Sequence, residues 1–520
     1  MPADNWKPSH NPWAIALTVT MATFMEVLDT SIANVSLPHI AGNLSAGQDE
    51  STWVLTSYLV ANAIVLPLSG WLSTVFGRKR FYMSCVVLFT ASSFLCGLAT
   101  SLPMLIFFRI MQGLGGGGLA PSEQAILADT FPPAKRGMAF AVYGIAVVTA
   151  PAIGPTLGGW ITDNYDWRWI FFINIPVGLL SLFLTSRLVE DPPYLRGTKK
   201  SSIRIDYIGL ALLSIGLAAL QIVLDKGERD DWFSSRFITI WSLIAAFGLV
   251  FAFIWEWNHE HPILEVKLLS QRGFLISNIA MFMLGVVLFG TTLLLPQMLQ
   301  SLFGYTAQEA GMVLSPGGVA VILLLPAVGI LISKVDARYL IALGFLITSI
   351  GLFHLSRLNL NIAFDQAVWA RVLQASGLAF LFIPIQTVAY IGMPREKSNA
   401  ISGMTNLSRN IGGSVGISLV TTLLARRAQY HQAVLSAHAT DSNSAFRKVI
   451  SGTTNHLIQS GSSPELAAQQ AYGLVANTIG RQAAMQSYLD VYFILGVGTA
   501  ILVPCVFIMK KARASQAAVH

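Results

Sequence analysis

Residues 13–38 read WAIALTVTMATFMEVLDTSIANVSLP. This run is apolar and long enough to cross a bilayer core of about 30 Å as an α-helix that rises about 1.5 Å per residue. It nevertheless carries two carboxylates, Glu26 and Asp29, and no basic residue. An ionised carboxylate in hydrocarbon costs roughly 3 kcal/mol, so such groups usually face an interior cavity and mark paths for protons, ions or substrates. Because Glu26 and Asp29 are three residues apart, they share nearly one helix face, which we take as the candidate functional surface.

The whole chain has the composition of an integral membrane protein. Of its 520 residues, 54% are hydrophobic and 11% are charged, whereas soluble domains are about 25% charged. The formal charge of +7 does not indicate nucleic-acid binding, because the basic residues are spread over short loops. The three cysteines, Cys85, Cys96 and Cys505, lie in apolar runs, which predicts buried thiols and neither disulfides nor a zinc site.

Apolar runs of spanning length recur along the chain. They lie at about 13–37, 51–72, 81–100, 103–125, 137–161, 168–188, 205–225, 237–257, 275–299, 308–333, 338–356, 365–392, 398–424 and 488–509. No small-residue cleavage site follows the first run, which therefore predicts a retained helix rather than a signal peptide. No window alternates polar and apolar residues as a membrane strand does, so the sequence predicts fourteen transmembrane helices.

The Lys and Arg residues predict the orientation of these helices. With the N-terminus inside, the inner segments hold twenty Lys and Arg residues, whereas the short outer loops hold five. Cytoplasmic loops are the ones that carry such an excess. We therefore expect both termini to be cytoplasmic and the chain to lie in the inner membrane.

Four short motifs recur in the same order in the two halves of the chain. Leu37-Pro38 returns as Leu295-Pro296, Pro67-x-x-Gly70-x-Leu72 as Pro326-x-x-Gly329-x-Leu331, Arg109-x-x-Gln112 as Arg371-x-x-Gln374 and Gly154 as Gly416, at offsets of 258, 259, 262 and 262 residues. Two related six-helix halves that handle substrate between them are a transporter plan. We expect a first bundle over residues 1–190, two inserted helices over 191–260 and a second bundle over 261–520.

One outer segment, residues 425–487, is long and polar. Two interpretations remain open: a mobile connector, or a docking surface for a periplasmic partner. Its last part, from Pro464 to Gln486, could form an amphipathic helix that continues into the final span.

An acid and a base lie at similar depth in the membrane. Asp29 precedes Pro38 by nine residues and so lies about 13 Å from the outer end of its run. Arg109 follows Pro103 by six residues and lies about 9 Å from the same surface. If their helices are neighbours, the two form either a fixed ion pair that lets both charges exist in the membrane or a titrating, gating site. Glu26, one turn deeper, is expected to titrate or to contact substrate.

The second half does not copy this acid. At the offset of 258 residues Asp29 corresponds to Val287, so Arg371 has no acid partner there. We therefore expect the first half to handle protons.

Other polar residues are candidate substrate contacts. Arg409 lies with Asn406 and Asn410 inside the thirteenth run, and an intramembrane charge is functional by default. This cluster either contacts a cavity or forms a structural pairing. The candidate substrate-binding residues are Glu26, Gln112, Asn406 and Arg409.

Two glycine-rich stretches are candidates for conformational roles. Gly70 and Gly77 lie in the loop after the second run, which ends in Arg78-Lys79-Arg80; glycine permits a tight turn and close helix approach. This loop either closes the gap between two helices or only fixes the orientation. In the fifth run, Gly154-Pro155-x-x-Gly158-Gly159 predicts a hinge or a seal, because small residues let helices meet and proline bends them.

The sequence contains no convincing enzyme signature. Gly113-x-Gly115-x-x-Gly118 matches the dinucleotide fingerprint by letter, but it lies in a spanning helix with no strand before it. There is no Gly-x-x-x-x-Gly-Lys-Ser/Thr loop, no His-Glu-x-x-His and no nucleophile elbow. We therefore expect neither catalysis nor a cofactor nor a metal.

Several of these motifs resemble those of the major facilitator superfamily. The loop over 70–80 is similar to its motif between the second and third helices, Arg109-x-x-Gln112-Gly113 to its fourth-helix motif, and Gly154-Pro155-x-x-Gly158-Gly159 to its antiporter motif. Leu28-Asp29-Thr30-Ser31-Ile32-Ala33-Asn34-Val35 and the stretch over 167–176 resemble the fourteen-helix drug/proton antiporter branch, especially EmrB-like multidrug exporters. The resemblance covers nearly the whole chain.

The resemblance implies the export of hydrophobic or amphipathic compounds, driven by inward proton flow. It implies that Arg109 serves proton coupling and that Asp29 and Glu26 carry protons or cationic substrate. It also implies a membrane-fusion adaptor and an outer-membrane channel as partners, which would suit residues 425–487. One departure is Thr74, which stands where the superfamily usually has an acid, so an acid–arginine latch within that loop is not expected.

Two other classes of function were compared with export. A proton-coupled transporter or uniporter for a specific metabolite, sugar or siderophore is the alternative within transport. A multi-span enzyme or sensor would need a polar catalytic cluster or a soluble signalling domain, and the sequence has neither.

Overall fold

The apolar runs form helices. The computed structural model describes residues 8–192, 206–260 and 262–508, and every regular element in these ranges is helical. A helix satisfies its backbone hydrogen bonds within one segment, which hydrocarbon requires because it offers no water. The first helix begins at Pro12, where Asn11 Oδ1 accepts a hydrogen bond from Trp13 N over 2.9 Å and proline fits the first turn.

The helices at the predicted spans are numbered α1 to α14. The first seven are α1 Pro12–Asn43, α2 Trp53–Phe76, α3 Arg78–Gly97, α4 Leu102–Thr130, α5 Pro133–Asn164, α6 Asn174–Leu188 and α7 Tyr207–Lys226. The others are α8 Arg236–Asn258, α9 Arg272–Phe303, α10 Ala307–Leu331, α11 Ala337–Leu355, α12 Phe364–Ala389, α13 Ser398–Ala437 and α14 Pro464–Cys505. Shorter helices keep their residue ranges as names.

The number of spans is close to the predicted fourteen. Within the described ranges, twelve helices are long and apolar enough to cross a membrane, and thirteen if the bent α5 counts as one span. The remaining helix, α13, has 40 residues, and polar side chains such as Arg409 make it less apolar. Its buried residues lie between Ser398 and Val420, where it packs against α2, α4 and α9.

Because successive helices cross in opposite directions, the structure has two faces. The Gly77 face holds the turn between α2 and α3, and the Arg168 face holds the loop between α5 and α6. Gly77 alone joins α2 to α3 with φ of +85°, a value that glycine adopts at low cost because it lacks a β-carbon.

The first six helices pack as one bundle and the last six as another. In the first bundle, α1 packs against α5 and α6, and α4 packs against α2 and α3. In the second, α9 packs against α13, α12 against α10 and α11, and α14 against α11 and α13. The bundles meet chiefly along two helix pairs, α5 with α10 and α2 with α13, and α4 with α13 and α5 with α12 make smaller contacts. Groups on these helices and on the neighbouring α1 can therefore line the interface.

The predicted inserted helices, α7 and α8, form a hairpin outside the two bundles. A β-carbon on Gly248 would lie 2.9 Å from Gly216 Cα, so glycines allow the two helices to touch. α7 also packs against α2 of the first bundle and α13 of the second. It therefore spans the interface between them.

Residues 425–487 are largely helical, and both interpretations of this segment, a mobile connector and a docking surface, stay predictions. α13 continues to Ala437, the helix Ser444–Gln459 follows, and α14 begins at Pro464 and runs without a break to Cys505. The predicted continuation of Pro464–Gln486 into the last span is thus what the structure shows.

Two of the three cysteines have the predicted environment. Cys85 and Cys96 are buried, whereas Cys505, at the end of α14, is exposed. The expectation of a buried thiol at Cys505 is wrong, because an apolar run places a side chain in the membrane but does not decide whether it faces protein or lipid.

Candidate functional site

Asp29 and Arg109 form a buried ion pair in the first bundle. Arg109 Nη1 donates to Asp29 Oδ2 over 2.6 Å, and the two side chains are 0% and 1% exposed. Packing of α4 against α2 gives Arg109 a second acceptor, Val54 O, at 3.1 Å from Nε. The similar depths inferred from the sequence therefore correspond to a direct contact.

Two amides complete the surroundings of Asp29. Its Oδ1 accepts from Gln112 Nε2 over 3.0 Å and from Asn174 Nδ2 over 2.7 Å. Gln112 Oε1 in turn accepts from Arg109 Nη1 over 2.8 Å, and Gln112 is 0% exposed. Gln112, a candidate substrate contact, therefore lies within the ion-pair network, enclosed away from the interface between the bundles.

Glu26 has a different environment, although it lies one turn from Asp29. It is half-buried, and its Oε1 accepts from Tyr58 Oη over 3.2 Å and from Asn62 Nδ2 over 3.0 Å. Tyr58 also places its ring 4.4 Å from the Arg109 guanidinium carbon. One tyrosine therefore contacts both the enclosed ion pair and the acid at the interface between the bundles.

The polar cluster of α13 faces the first bundle. Arg409 Nη1 donates to Tyr143 Oη over 2.9 Å, and its guanidinium lies over the rings of Tyr143 and Phe382 at 5.8 and 5.9 Å. Asn410 Nδ2 lies 3.5 Å from Asn62 Oδ1. Because Asn62 also bonds Glu26, a chain of polar contacts runs from the acid of one bundle to α13 of the other.

Asn406 contacts a glutamine that the sequence analysis did not single out. Asn406 Nδ2 donates to Gln124 Oε1 over 2.7 Å, and Gln386 Nε2 donates to the same oxygen over 2.5 Å. Gln124 belongs to α4, whereas Asn406 and Gln386 belong to the second bundle. These side chains are at most 2% exposed, so Asn406 pairs across the closed part of the interface.

Glu123, the residue before Gln124, was also missed. It is 0% exposed, and its Oε1 accepts from Thr20 Oγ1 over 2.5 Å. It carries the same signal that drew attention to Asp29, an acid inside an apolar run, so the sequence alone could have identified it.

A small cavity lies near the Arg168 face. It measures about 80 Å³ and is lined by Leu59, Gln221, Leu224, Asp225, Phe289, Asn410, Gly413, Ser414 and Ile417. These residues come from both bundles and from α7. A drug-sized ligand needs roughly 300–1,000 Å³, so this conformation does not hold such a molecule there.

The Gly77 face is closed by a network around Arg78. Arg78 forms an ion pair with Asp129 at the end of α4, and its Nε donates to Asn399 Oδ1 at the start of α13 over 2.7 Å. A β-carbon on Gly70 would lie 3.1 Å from Asn399 O, so α2 and α13 touch. A latch thus exists although Thr74 replaces the usual acid, because α4 provides the carboxylate.

The glycines of α5 bring it against α1. A β-carbon on Gly158 would lie 3.2 Å from Ile32 Cα, and Gly154 adjoins Ser31 in the same way. Pro155 is half-buried and Gly159 buried. This seam supports the predicted seal and sits beside the helix that carries Glu26 and Asp29.

The second bundle repeats the arginine but not the acid. Arg371 Nη1 donates to Gln374 Oε1 over 2.6 Å, and Gln374 Nε2 donates to Thr291 Oγ1 over 3.2 Å. Among the described residues, no carboxylate pairs with Arg371. The described part of the chain also holds no cluster of His, Cys, Asp and Glu suited to a metal.

Comparison with known proteins identifies the family. The family model described as Major Facilitator Superfamily matches residues 19–417. The chain belongs to the Major Facilitator Superfamily. It is a multi-pass membrane transporter of that superfamily, as the sequence motifs predicted, and the two-bundle fold is the one expected of it.

Relatives and solved structures agree with this assignment. The chain is 37% identical to "Multidrug export protein EmrB" of Escherichia coli (strain K12) over 490 residues, which cover 94% of this chain and 93% of that protein. It is 35% identical to "Fatty acid resistance protein FarB" of Neisseria gonorrhoeae over 496 residues, 95% of this chain and 96% of that protein. The solved structure of the proton:xylose symporter XylE, 16% identical, covers 97% of both chains with a TM-score of 0.59, which shows the fold alone.

Proposed function

We propose that this transporter exports hydrophobic or amphipathic compounds by proton antiport with alternating access. The observation that carries the proposal is the half-buried Glu26, which faces the interface between the bundles and is joined through Asn62 to Asn410 of α13. A carboxyl group there can hold either a proton or a cationic compound, but not both. The similarity to a multidrug export protein supports a drug as the exported ligand.

The proton site includes the neighbouring ion pair. Asp29 is enclosed, so a proton can reach it only after the surroundings of Glu26 rearrange. Tyr58 contacts both groups and would transmit that rearrangement. In this scheme protonation of Glu26 releases the drug, Arg109 and Gln112 hold the Asp29 carboxylate in place, and Gln112 orients that carboxylate rather than binding substrate.

Asn406 and Arg409 are proposed to contact substrate once the interface opens. Arg409 is half-buried and bonded to Tyr143, while Asn406 bonds Gln124 across the interface. These bonds join opposite bundles, so they must break when the bundles separate. The freed polar atoms would then line the opened cavity.

The distribution of Lys and Arg assigns the two faces. The Gly77 face carries the excess of basic residues, which favours the cytoplasmic side, and both chain ends are then cytoplasmic in an inner membrane. The Arg78 network closes this face. In this proposal the conformation is one whose cytoplasmic entrance is shut.

The helices of residues 425–487 are proposed to dock a membrane-fusion adaptor that leads to an outer-membrane channel. They extend from α13 and α14 at the Arg168 face, and Val449 and Tyr472 are 52% and 48% exposed. A photo-crosslinker at Val449 should capture the adaptor, whereas one at Tyr207, exposed on the other face, should not. Normal assembly after deletion of Ser444–Gln459 would contradict this partner.

Ethidium transport in inverted membrane vesicles tests the proposed export. An imposed gradient with an acidic interior should drive ethidium into vesicles that contain the protein, and a protonophore should abolish this uptake. Vesicles without the protein are the control. Uptake that ignores the gradient would contradict antiport, and movement of dye together with protons would favour a symporter of the alternative class.

A further inference from the structure

Glu123 is a buried acid that the mechanism above does not use. It lies on the second part of α4, Leu119–Thr130, in which every residue is buried. Its Oε1 accepts from the Thr20 hydroxyl over 2.5 Å. Among the described residues no donor meets its Oε2 within hydrogen-bonding geometry, although Thr23 lies close by on the same face of α1.

In the described part of the chain, no cation contacts the Glu123 carboxyl group. Arg409 of α13 interacts with it electrostatically, but its Nη1 donates to Tyr143 Oη instead. The α1 neighbour is another acid, Glu26. Tyr143 on α5 and Tyr82 on α3 also interact with it electrostatically, but their hydroxyls donate to Asn406 Oδ1 and Val19 O. The Tyr58 hydroxyl of α2 donates to Glu26 instead.

An enclosed carboxylate with no contacting cation is costly. Transfer of an unpaired carboxylate into a protein interior costs several kcal/mol, and such a group takes up a proton instead. Thr20, the one donor bonded to Glu123, is a neutral hydroxyl. The geometry therefore fits a carboxylic acid that keeps its proton in this conformation.

The position of Glu123 also suggests where its proton goes. Thr20 precedes Glu26 by six residues on α1, so Glu123 lies about 9 Å nearer the Gly77 face than Glu26 does. On α4 it precedes Thr130, the end of the helix at that face, by seven residues, or about 10 Å. When the Arg78 network opens, Glu123 is closer to that solvent than Glu26 or Asp29.

We propose that Glu123 is a second proton-binding site, which receives a proton from Glu26 and releases it to the Gly77 face. This inference rests on the proton-driven export proposed above. When the Gly77 face opens, Glu123 first releases its proton to water, and the emptied carboxylate then takes up the proton of Glu26; no other bond forms or breaks. Each proton passes the two carboxyl groups in turn, so Glu123 affects the rate of proton release at the Gly77 face and not the number of protons carried per cycle.

Infrared difference spectroscopy of the reconstituted protein tests this site without a substrate. The C=O stretching band of protonated carboxyl groups should be present near neutral pH and should lose intensity in Glu123→Gln. The control variant is Glu465→Gln, which alters an exposed acid in the first turn of α14 and should leave the band unchanged. A band of full intensity in Glu123→Gln would overturn the proposal.

A second variant covers the case in which Glu123→Gln does not fold. Thr20→Val keeps the carboxyl group but removes its donor, so the same band should shift in frequency; an unshifted band would count against the site. Gradient-driven ethidium uptake in proteoliposomes should be several-fold slower in Glu123→Gln and largely restored in Glu123→Asp, which can again carry a proton. A wild-type protein that moves ethidium with no protons would refute the proposed function, whereas a coupled wild type with an unchanged uptake rate in Glu123→Gln would refute only the role of Glu123.

Discussion

Neighbouring acids on one helix can have different roles, and Asp29 and Glu26 show why. Asp29 points into the first bundle, where Arg109, Gln112 and Asn174 satisfy both its oxygens. Glu26 bonds two neutral groups of α2, Tyr58 and Asn62, and Asn62 in turn contacts Asn410 of the second bundle. The sequence could place both acids in the membrane, but it could not distinguish them, because the distinction depends on side chains from α2, α4 and α6.

Asp29→Asn should both destabilise the protein and abolish gradient-driven efflux. Loss of one partner leaves Arg109 buried without a counterion, which typically costs roughly 3–5 kcal/mol. The free energy of unfolding in detergent measures this loss. The double variant with Arg109→Gln should recover most of the stability but none of the transport. Equal stability of wild type and Asp29→Asn, or unchanged efflux, would contradict this account of the pair.

The helices differ in how well the sequence predicts them. Long apolar runs locate nearly all the spans. Each spanning segment must be apolar and must satisfy its backbone hydrogen bonds within itself, so it can be recognised without knowledge of the other helices. α13 is less apolar and extends further than expected, because its polar face is covered by other helices and its end leaves the membrane. The Arg109–Asp29 contact was foreseeable from depth, whereas Gln124 and Gln386 were not, because their pairing depends on how two bundles dock.

Gly158→Leu should disrupt the seam between α1 and α5. A side chain there would meet Ile32, whose Cα lies 3.2 Å from the β-carbon position, and overpacking costs typically 1–3 kcal/mol. We expect a lower melting temperature and loss of ethidium transport. Gly498→Leu on α14 is the matched control, because nothing lies within 4 Å of its β-carbon position. Equal melting temperatures and equal ethidium transport in the two variants would show that close packing of α1 against α5 is not required for stability or transport.

At the scale of the whole molecule, the two bundles are held together at the Gly77 face. Arg78 and Asp129 come from the first bundle and Asn399 from the second, so one guanidinium bridges the parts that must separate. α7 contacts both bundles at the opposite face, through Lys226 with Thr52 at 2.6 Å and Gln221 with Ser414 at 2.8 Å. Alternating access requires the two sets of contacts to form and break in turn.

Arg78→Ala should shift the population towards a conformation open at the Gly77 face. Ser73→Cys, in a variant lacking the native cysteines, reports this opening because Ser73 is 2% exposed in the closed structure. A membrane-impermeant maleimide should label this cysteine faster. The labelling rate should rise about tenfold for each 1.4 kcal/mol by which the variant lowers the free-energy preference for the closed conformation. Arg80→Ala removes an exposed charge of the same sign and should not alter labelling. Equal rates in the two variants would show that Arg78 does not close this face.

The central claim is that drug and proton compete for the carboxyl group of Glu26 between the bundles. Its most direct test is the number of protons released when ethidium binds the purified wild-type protein in a weakly buffered solution. The account predicts release of about one proton or more per ethidium bound, and a smaller release in Glu26→Gln. Saturable ethidium binding with no proton release from the wild-type protein would contradict it.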